Sequence, residues 1–161
     1  MYETSISIED VIALVYNNHT VVSKSNIKKA YDFALEKHND QKRVSGEPYI
    51  MHPLRVAKLL AEWGFGSEVV IAGLLHDVIE DCNVTVDMIT GMFGSNIANL
   101  VDAVTQVNKH MKGLEGLSKK EIDRLSDIRL IKSISEESLF IKVADRLDNL
   151  YTIDVMSEAK Q

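Results

Sequence analysis

The chain has 161 residues, of which 45% are hydrophobic and 26% charged, and its formal net charge is −6. This length predicts one domain, and the acidic balance argues against nucleic-acid binding, which needs a basic face. Because no apolar stretch reaches the roughly 20 residues that span a bilayer, and no signal-peptide pattern begins the chain, no membrane association is expected. The single cysteine, Cys82, has no partner for an internal disulfide, which favours a cytoplasmic protein.

Apolar residues recur at helical spacing along the chain, whereas strand-like alternation is rare. The spacing predicts helices over about 7–16, 25–38, 53–63, 67–81, 85–107, 121–134 and 136–153. Candidate caps precede or open four of them: Ser7, Ser67, Thr85 and Ser135. Pro53 occupies a favoured first-turn position, and Gly94 interrupts the fifth helix. A polar segment over 39–49 and an exposed loop over 108–120 complete the predicted all-α bundle.

The predicted fourth helix carries the most informative pattern. Its residues 69–75 are apolar apart from one glycine, so this helix is expected to be buried. Four polar residues follow: His76, Asp77, Glu80 and Asp81. On a helix, the first and third of these share one face, and so do the second and fourth. Because a buried ionised carboxylate is costly unless it is paired or bound to a metal, the pattern predicts a metal site or an acid/base site.

The predicted last helix carries a second polar pattern. Asp145, Asn149 and Thr152 are spaced to form one polar stripe beside an apolar face. His52 lies just before Pro53, at the mouth of the third helix. Two nitrogen and two oxygen ligands suit a borderline divalent metal with open sites for water and phosphate. The candidate ligands are His52, His76, Asp77 and Asp145.

Several motifs resemble those of one known family. Residues 43–53 read Arg-Val-Ser-Gly-Glu-Pro-Tyr-Ile-Met-His-Pro, which resembles the Arg-Lys-Ser-Gly-Glu-Pro-Tyr-x-x-His-Pro motif of the (p)ppGpp hydrolase domain in the RelA/SpoT family. Residues 76–81 are similar to its His-Asp-x-x-Glu-Asp motif, and 93–94, 101–105 and 144–152 resemble further motifs in the same order. The resemblance runs from about residue 26 to residue 152. It implies one HD hydrolase domain over 1–161, without a synthetase domain.

The resemblance also implies a fold and a cofactor. The fold would be the HD-domain helical bundle with a metal site in its core. One Mn²⁺ ion per chain would be bound by His52, His76, Asp77 and Asp145. The implied catalytic residues, which position and deprotonate the attacking water, are Glu80 and Asp81.

The implied substrate is a guanine nucleotide. Arg43 would stack on the guanine, and the nucleotide pocket would be lined by Ser45, Asn149 and Thr152. The implied reaction is hydrolysis of guanosine 3′-diphosphate 5′-di(tri)phosphate, (p)ppGpp, to GDP or GTP and pyrophosphate. An enzyme of this kind lowers the alarmone level in the stringent response.

Three positions depart from the family pattern. Val44 stands where the family usually has lysine, Asp148 where it often has histidine or another neutral residue, and Tyr151 where arginine is common. Each change makes the pocket less basic, so two alternatives stay open. One is a phosphohydrolase acting on another nucleotide, for example on the 2′-phosphate of NADPH. The other is a nucleotide-binding regulatory module without turnover.

The sequence also leaves assembly and chain length open. A homo-oligomer is compatible with the resemblance, but no residue pattern predicts one. The family's domain usually continues with further helix after the last motif, whereas nine residues follow Thr152. A truncated C-terminus is therefore compatible with the sequence.

Overall fold

A computed structural model describes residues 6–18, 23–105, 116, 118, 120–121, 124 and 135–152 of the chain. Most of the predicted loop over 108–120 and of the predicted helix over 121–134 lies outside these residues. The described helices are α1 Ile8–Asn18, α2 Lys24–Lys37, α3 Met51–Glu62, α4 Ser67–Leu75, α5 Val78–Asp81, α6 Val86–Phe93, α7 Ser95–Val104 and α8 Glu136–Tyr151. Within the described part of the chain the only strand-like pairing is an isolated bridge between Lys42 and Pro48. The predicted all-α fold is confirmed.

Helix α4 lies at the centre of the bundle. It packs against α2, α3, α7 and α8, and every residue from Val69 to Leu75 is buried. A helix surrounded in this way must be apolar on all sides, which explains its sequence. Gly73 allows α3 to approach closely, because a Cβ atom there would lie 2.6 Å from Leu60 Cδ1. The close approach brings the end of α4 next to the beginning of α3.

Three of the predicted helix starts are confirmed by their hydrogen bonds. Ser7, Thr85 and Ser135 each accept a hydrogen bond of 3.2 Å from the backbone N–H three residues later. Such a bond satisfies one of the free N–H groups in the first turn of a helix. At α8 the bond is reciprocal, because Ser138 Oγ accepts from the Ser135 backbone N–H at 3.1 Å. No helix among the described residues is both long and apolar enough to cross a membrane.

Helix α4 begins at residue 67 as predicted, but the predicted capping role of Ser67 is wrong, and so is the predicted start of α3 at Pro53. Ser67 is the first residue of α4 rather than its cap, and its hydroxyl accepts a hydrogen bond of 3.2 Å from the Ser23 backbone N–H. Helix α3 begins at Met51 instead of Pro53. A proline is tolerated there because an N–H in the first turn has no partner within the helix. His52 consequently lies inside the first turn of α3.

The predicted helix over 67–81 is broken in the structure. Helix α4 ends at Leu75 and α5 begins at Val78, with a turn at His76 and Asp77 between them. The imidazole Nδ1 of His76 donates a hydrogen bond of 2.8 Å to the Gly73 carbonyl oxygen. This backbone oxygen, in the last turn of α4, thus accepts a hydrogen bond from a side chain. Side-chain bonds of this kind compete with the regular helical hydrogen bonds. The break places both polar residues at the end of the buried helix.

Candidate metal centre

Three separate segments contribute the four predicted metal ligands. His52 comes from the first turn of α3, His76 and Asp77 from the turn between α4 and α5, and Asp145 from the middle of α8. His52, His76 and Asp77 form a group in which one ligand atom of each lies within 4.8 Å of the others. Asp145 lies outside this tightest group but faces it. The structure therefore brings all four residues to one point.

The distances between ligand atoms suit a small cation. Asp77 Oδ2 lies 3.0 Å from His76 Nε2 and 3.6 Å from His52 Nε2. Asp145 Oδ1 lies 3.4 Å from His52 Nε2 and 3.9 Å from His76 Nε2. Bonds of about 2.1 Å to a transition metal place neighbouring ligand atoms roughly 3.0–3.5 Å apart. Little movement would be needed for these atoms to share one ion.

One atom in the cluster lacks a partner that a cation would supply. His76 Nε2 is buried and, among the described residues, is the only buried side-chain nitrogen or oxygen atom without a hydrogen bond. Asp77 Oδ2 is near enough at 3.0 Å for an ion pair, but not in hydrogen-bond geometry. Because Nδ1 already donates to the Gly73 carbonyl, Nε2 is the nitrogen left to bind an ion. The residues present fit a divalent metal.

The electrostatics of the cluster depend on opposite charges at short range. Burial lowers the pKa of His76, but Asp77, together with Asp145 and the Gly73 carbonyl, outweighs burial and raises this pKa to about 9. Burial raises the pKa of Asp77, and the charge of His76 more than reverses that shift. The pKa of Asp145 is likewise lowered, against the effect of burial, by His52, His76 and Lys142. Both carboxylates are therefore ionised at neutral pH and attract a cation.

The two predicted catalytic carboxylates lie on α5, beside the cluster. Glu80 and Asp81 line a polar cavity of about 180 Å³ together with three of the predicted ligand residues, His52, Asp77 and Asp145. The Tyr49 hydroxyl donates a hydrogen bond of 2.7 Å to Asp77 Oδ2 and lies 3.1 Å from Asp81 Oδ2. Burial, and then the charge of Asp77, raises the pKa of Asp81. A raised pKa makes a carboxylate a better proton acceptor near neutral pH.

A second cavity of about 220 Å³ adjoins the first, and Arg43, Tyr49 and Asn149 line both. The Arg43 guanidinium donates through Nη2 to Asn149 Oδ1 at 2.9 Å and to Thr152 Oγ1 at 3.0 Å. Asn149 Nδ2 in turn donates to Asp145 Oδ1 at 2.7 Å. The structure thus brings the predicted substrate residues together, and they are Arg43, Ser45, Asn149 and Thr152. Their hydrogen bonds connect the second cavity with Asp145, one of the predicted metal ligands.

Two cations beside the cluster were not predicted from the sequence. Lys142 Nζ lies 3.0 Å from Asp145 Oδ2, and Arg146 lines the polar cavity with it. These residues make the surroundings of the cluster more basic than the departures at Val44 and Tyr151 suggest. Lys142 precedes Asp145 by three residues on α8, so helical spacing could have revealed this contact.

The polar contacts of His52 Nδ1 with α8 were also not predicted from the sequence. Asp148 is fully buried, and its Oδ2 lies 2.6 Å from His52 Nδ1. Arg55 Nε donates to the other Asp148 oxygen at 2.6 Å. Both residues have the same offset from a ligand, because Arg55 follows His52 by three positions and Asp148 follows Asp145 by three. That shared spacing is the signal that could have found them.

Comparison with known proteins agrees with this geometry. The model of the HD domain family matches residues 30–161. The "probable guanosine-3′,5′-bis(diphosphate) 3′-pyrophosphohydrolase" of Mycoplasma pneumoniae is 42% identical over 139 residues, which are 84% of this chain and 19% of that protein. The guanosine-3′,5′-bis(diphosphate) 3′-pyrophosphohydrolase of Aquifex aeolicus is 40% identical over 146 residues, 89% of this chain and 20% of that protein. The chain thus spans about a fifth of the length of these curated relatives.

A solved structure provides a further comparison. It is described as a metazoan ortholog of SpoT that hydrolyzes ppGpp and plays a role in starvation responses. The match has a TM-score of 0.71 and 33% identity, and it covers 85% of this chain and 74% of the other. The helical arrangement and the sequence therefore point to the same relatives.

Proposed function

The chain belongs to the HD domain family, and within it we propose that this protein is a metal-dependent hydrolase of the SpoT-related kind. Its substrate is (p)ppGpp, and its products are pyrophosphate and GDP or GTP. The observation that carries the proposal is the unpartnered His76 Nε2, which lies near the Asp77 and Asp145 carboxylates. These two carboxylates line the polar cavity, which adjoins the second cavity. The names of the relatives support the choice of substrate.

We propose that the metal is one Mn²⁺ ion per chain. The residues that would hold it are His52, His76, Asp77 and Asp145, whose nearest nitrogen and oxygen atoms lie 3.0–3.9 Å apart. When bound, a divalent metal lowers the pKa of a coordinated water and withdraws charge from phosphoryl oxygens. The nitrogen and carboxylate donors suit Mn²⁺, and the adjoining cavity leaves room for water and phosphate.

The two carboxylates of α5 position the attacking water and accept its proton. Asp81 accepts the proton, because its pKa is raised and its carboxylate lines the cavity. Glu80 positions the water on the same wall. Burial and the two carboxylates raise the pKa of the Tyr49 hydroxyl, so Tyr49 stays a hydrogen-bond donor and aligns Asp81 with the metal ligand Asp77. Proton transfer of this kind contributes about 10²–10⁴-fold to a rate.

The second cavity binds the nucleoside. The Arg43 guanidinium presents a planar cationic face for stacking on guanine, and it lies 5.9 Å from the centre of the Tyr49 ring. Ser45, Asn149 and Thr152 supply polar groups around it. Asn149 also donates a hydrogen bond to Asp145, a proposed metal ligand, so it fixes the position of the nucleoside relative to the metal. The 3′-diphosphate then extends into the polar cavity, whose lining includes the cationic side chains of Lys142 and Arg146.

The departure at Val44 makes the substrate the point to test. Val44 is 58% exposed and lines the second cavity, where it offers no charge to phosphate. We would compare ppGpp, pppGpp and NADPH with the Mn²⁺-loaded protein and measure released pyrophosphate and phosphate separately. We expect pyrophosphate from the two guanine nucleotides. Phosphate from NADPH without pyrophosphate from ppGpp would contradict the proposed substrate, and binding without turnover would favour the regulatory module.

The variant Val44→Lys tests whether the missing charge tunes this preference. A lysine at the exposed edge of the cavity should raise ppGpp turnover, because it adds a cation near a substrate that carries two diphosphates. Leu35→Lys is the matched control, since Leu35 is also exposed but lies on α2, outside both cavities. Equal turnover in the two variants would show that residue 44 does not set the preference.

A further inference from the structure

A buried network of charged side chains lies behind the candidate metal centre. Asp148 is fully buried on α8 and contacts two side chains of α3. Its Oδ2 is 2.6 Å from His52 Nδ1, and its Oδ1 accepts a hydrogen bond of 2.6 Å from Arg55 Nε. Arg55 Nη2 adds a longer bond of 3.4 Å to Asp148 Oδ2. The carboxylate is therefore held in one orientation from both sides.

Arg55 is itself held by the loop that carries the substrate residues. Its Nη2 and Nη1 donate to Glu47 Oε1 at 2.6 Å and to Glu47 Oε2 at 3.1 Å. Two parallel bonds between a guanidinium and a carboxylate fix direction as well as distance. The Glu47 carbonyl oxygen accepts from the Arg43 backbone N–H at 3.0 Å, so Glu47 is tied to the segment that bears Arg43 and Ser45.

We propose that Asp148 is a positioning residue for the metal, and that Arg55 and Glu47 hold it in place. This inference rests on the metal centre proposed above and adds a role that the ligand set does not contain. By accepting from Nδ1–H, Asp148 fixes the tautomer of His52 that leaves Nε2 without a proton. It also orients the ring so that Nε2 faces Asp77 and Asp145, at 3.6 and 3.4 Å. Partners of this kind commonly change metal affinity by about 10- to 100-fold.

Fold stability alone does not account for the arrangement. Moving an aspartate and an arginine into the interior is costly, and apolar residues of similar volume often stabilise a fold as well or better. An ion pair that served only the fold would also not require the contact with His52. The side-chain network instead runs from Glu47 through Arg55 and Asp148 to His52. It connects the proposed nucleotide-binding loop with a proposed metal ligand, so the two sites share one rigid support.

The test measures metal affinity and the histidine tautomer, neither of which requires a nucleotide. The variant Asp148→Asn removes the charge while keeping the shape. We expect its Kd for Mn²⁺, measured by calorimetry, to be about 10- to 100-fold higher than that of the native chain. Because Arg55 is then left without its buried partner and the variant could fail to fold, the double variant Arg55→Gln/Asp148→Asn is measured beside it. Asp32→Asn, which removes an exposed carboxylate paired with Lys28 on α2, is the matched control and should leave Kd unchanged.

The second readout is the protonation of the His52 ring, seen in long-range ¹H–¹⁵N spectra of the metal-free proteins. We expect the proton on Nδ1 in the native chain. A mixture of tautomers is expected in a third variant, Arg55→Gln/Asp148→Leu, because a leucine side chain cannot accept from Nδ1–H, whereas an asparagine amide oxygen still can. A Kd in the folded variants that rises less than the stated range, or a His52 ring that keeps its proton on Nδ1 in the third variant, would overturn the proposal. Failure of the native chain to hydrolyse ppGpp while it binds Mn²⁺ would overturn the proposed substrate and leave this inference standing.

Discussion

Metal uptake should release a proton from His76, and its affinity should therefore depend on pH. Burial lowers the pKa of this imidazole, but Asp77 at 3.0 Å, together with Asp145 and the Gly73 carbonyl, outweighs burial and raises the pKa to about 9. Below that pH the metal-free protein carries a proton that must leave when Nε2 binds an ion. The carboxylates of Asp77 and Asp145 have lowered pKa values, stay ionised in this range and add nothing to the slope.

The expected size follows from that pKa. Each pH unit below about 9 weakens the apparent affinity by about tenfold, or about 1.4 kcal/mol, because one proton competes with the metal. Between about pH 6.5 and 8.5 the Kd for Mn²⁺ should thus fall by about 100-fold as pH rises.

Calorimetric titration in two buffers with different ionisation enthalpies gives both Kd and the number of protons released. We expect about one proton per metal near pH 7. The variant His38→Gln, which changes a buried histidine outside the ligand group, should keep the same slope. A Kd that does not vary with pH, together with no proton release, would refute the assignment of His76 Nε2 as a ligand.

Three further predictions concern the site and its support. Tyr49→Phe removes the hydroxyl that joins Asp77 and Asp81, so kcat should fall by about tenfold or more, a larger factor than the weakening of Kd for Mn²⁺; an equal factor in both would show that Tyr49 mainly supports the metal. Gly73→Ala places a methyl group 2.6 Å from a buried leucine of α3 and should destabilise the fold by about 1–3 kcal/mol in urea unfolding. Gly91→Ala is the matched control, because a Cβ there meets nothing within 4 Å, and it should be neutral or stabilising by about 0.5–1 kcal/mol. Chelation of the metal should lower Tm, and refilling with Mn²⁺ should restore it; equal Tm values would mean that no metal is bound in the folded state.

Helical periodicity was sufficient to predict the all-α fold and most helix bounds. The apolar run over 69–75 predicted a buried helix. The prediction is right because α4 is surrounded by other helices and its sequence is therefore apolar on all sides. Periodicity did not predict the break after α4, which coincides with a side-chain hydrogen bond from His76 to the Gly73 carbonyl. The capping function of Ser67 was wrong for a related reason, because its hydroxyl has a distant partner in Ser23.

The residues of the candidate site were predicted from motifs, and their support was not. The four ligands occur in motifs whose order and spacing can be read from the sequence, and the structure places them together, although their roles stay predictions. The contact between Asp148 and Arg55 joins positions 93 residues apart, and periodicity shows only which face each occupies. From the sequence, Asp148 therefore indicated only a less basic substrate pocket. In the structure its buried carboxylate instead contacts His52 Nδ1.

The central claim, that this cluster is the metal centre of a (p)ppGpp hydrolase, is tested most directly by pyrophosphate release from ppGpp. Protein stripped of metal and refilled with Mn²⁺ would be measured beside its metal-free form and an Asp77→Ala variant treated in the same way. We predict release of pyrophosphate and GDP by the refilled protein alone, rising with Mn²⁺ until about one ion is bound per chain. Equal release by the metal-free protein or by Asp77→Ala, or no release from a protein that has bound its ion, would contradict the claim.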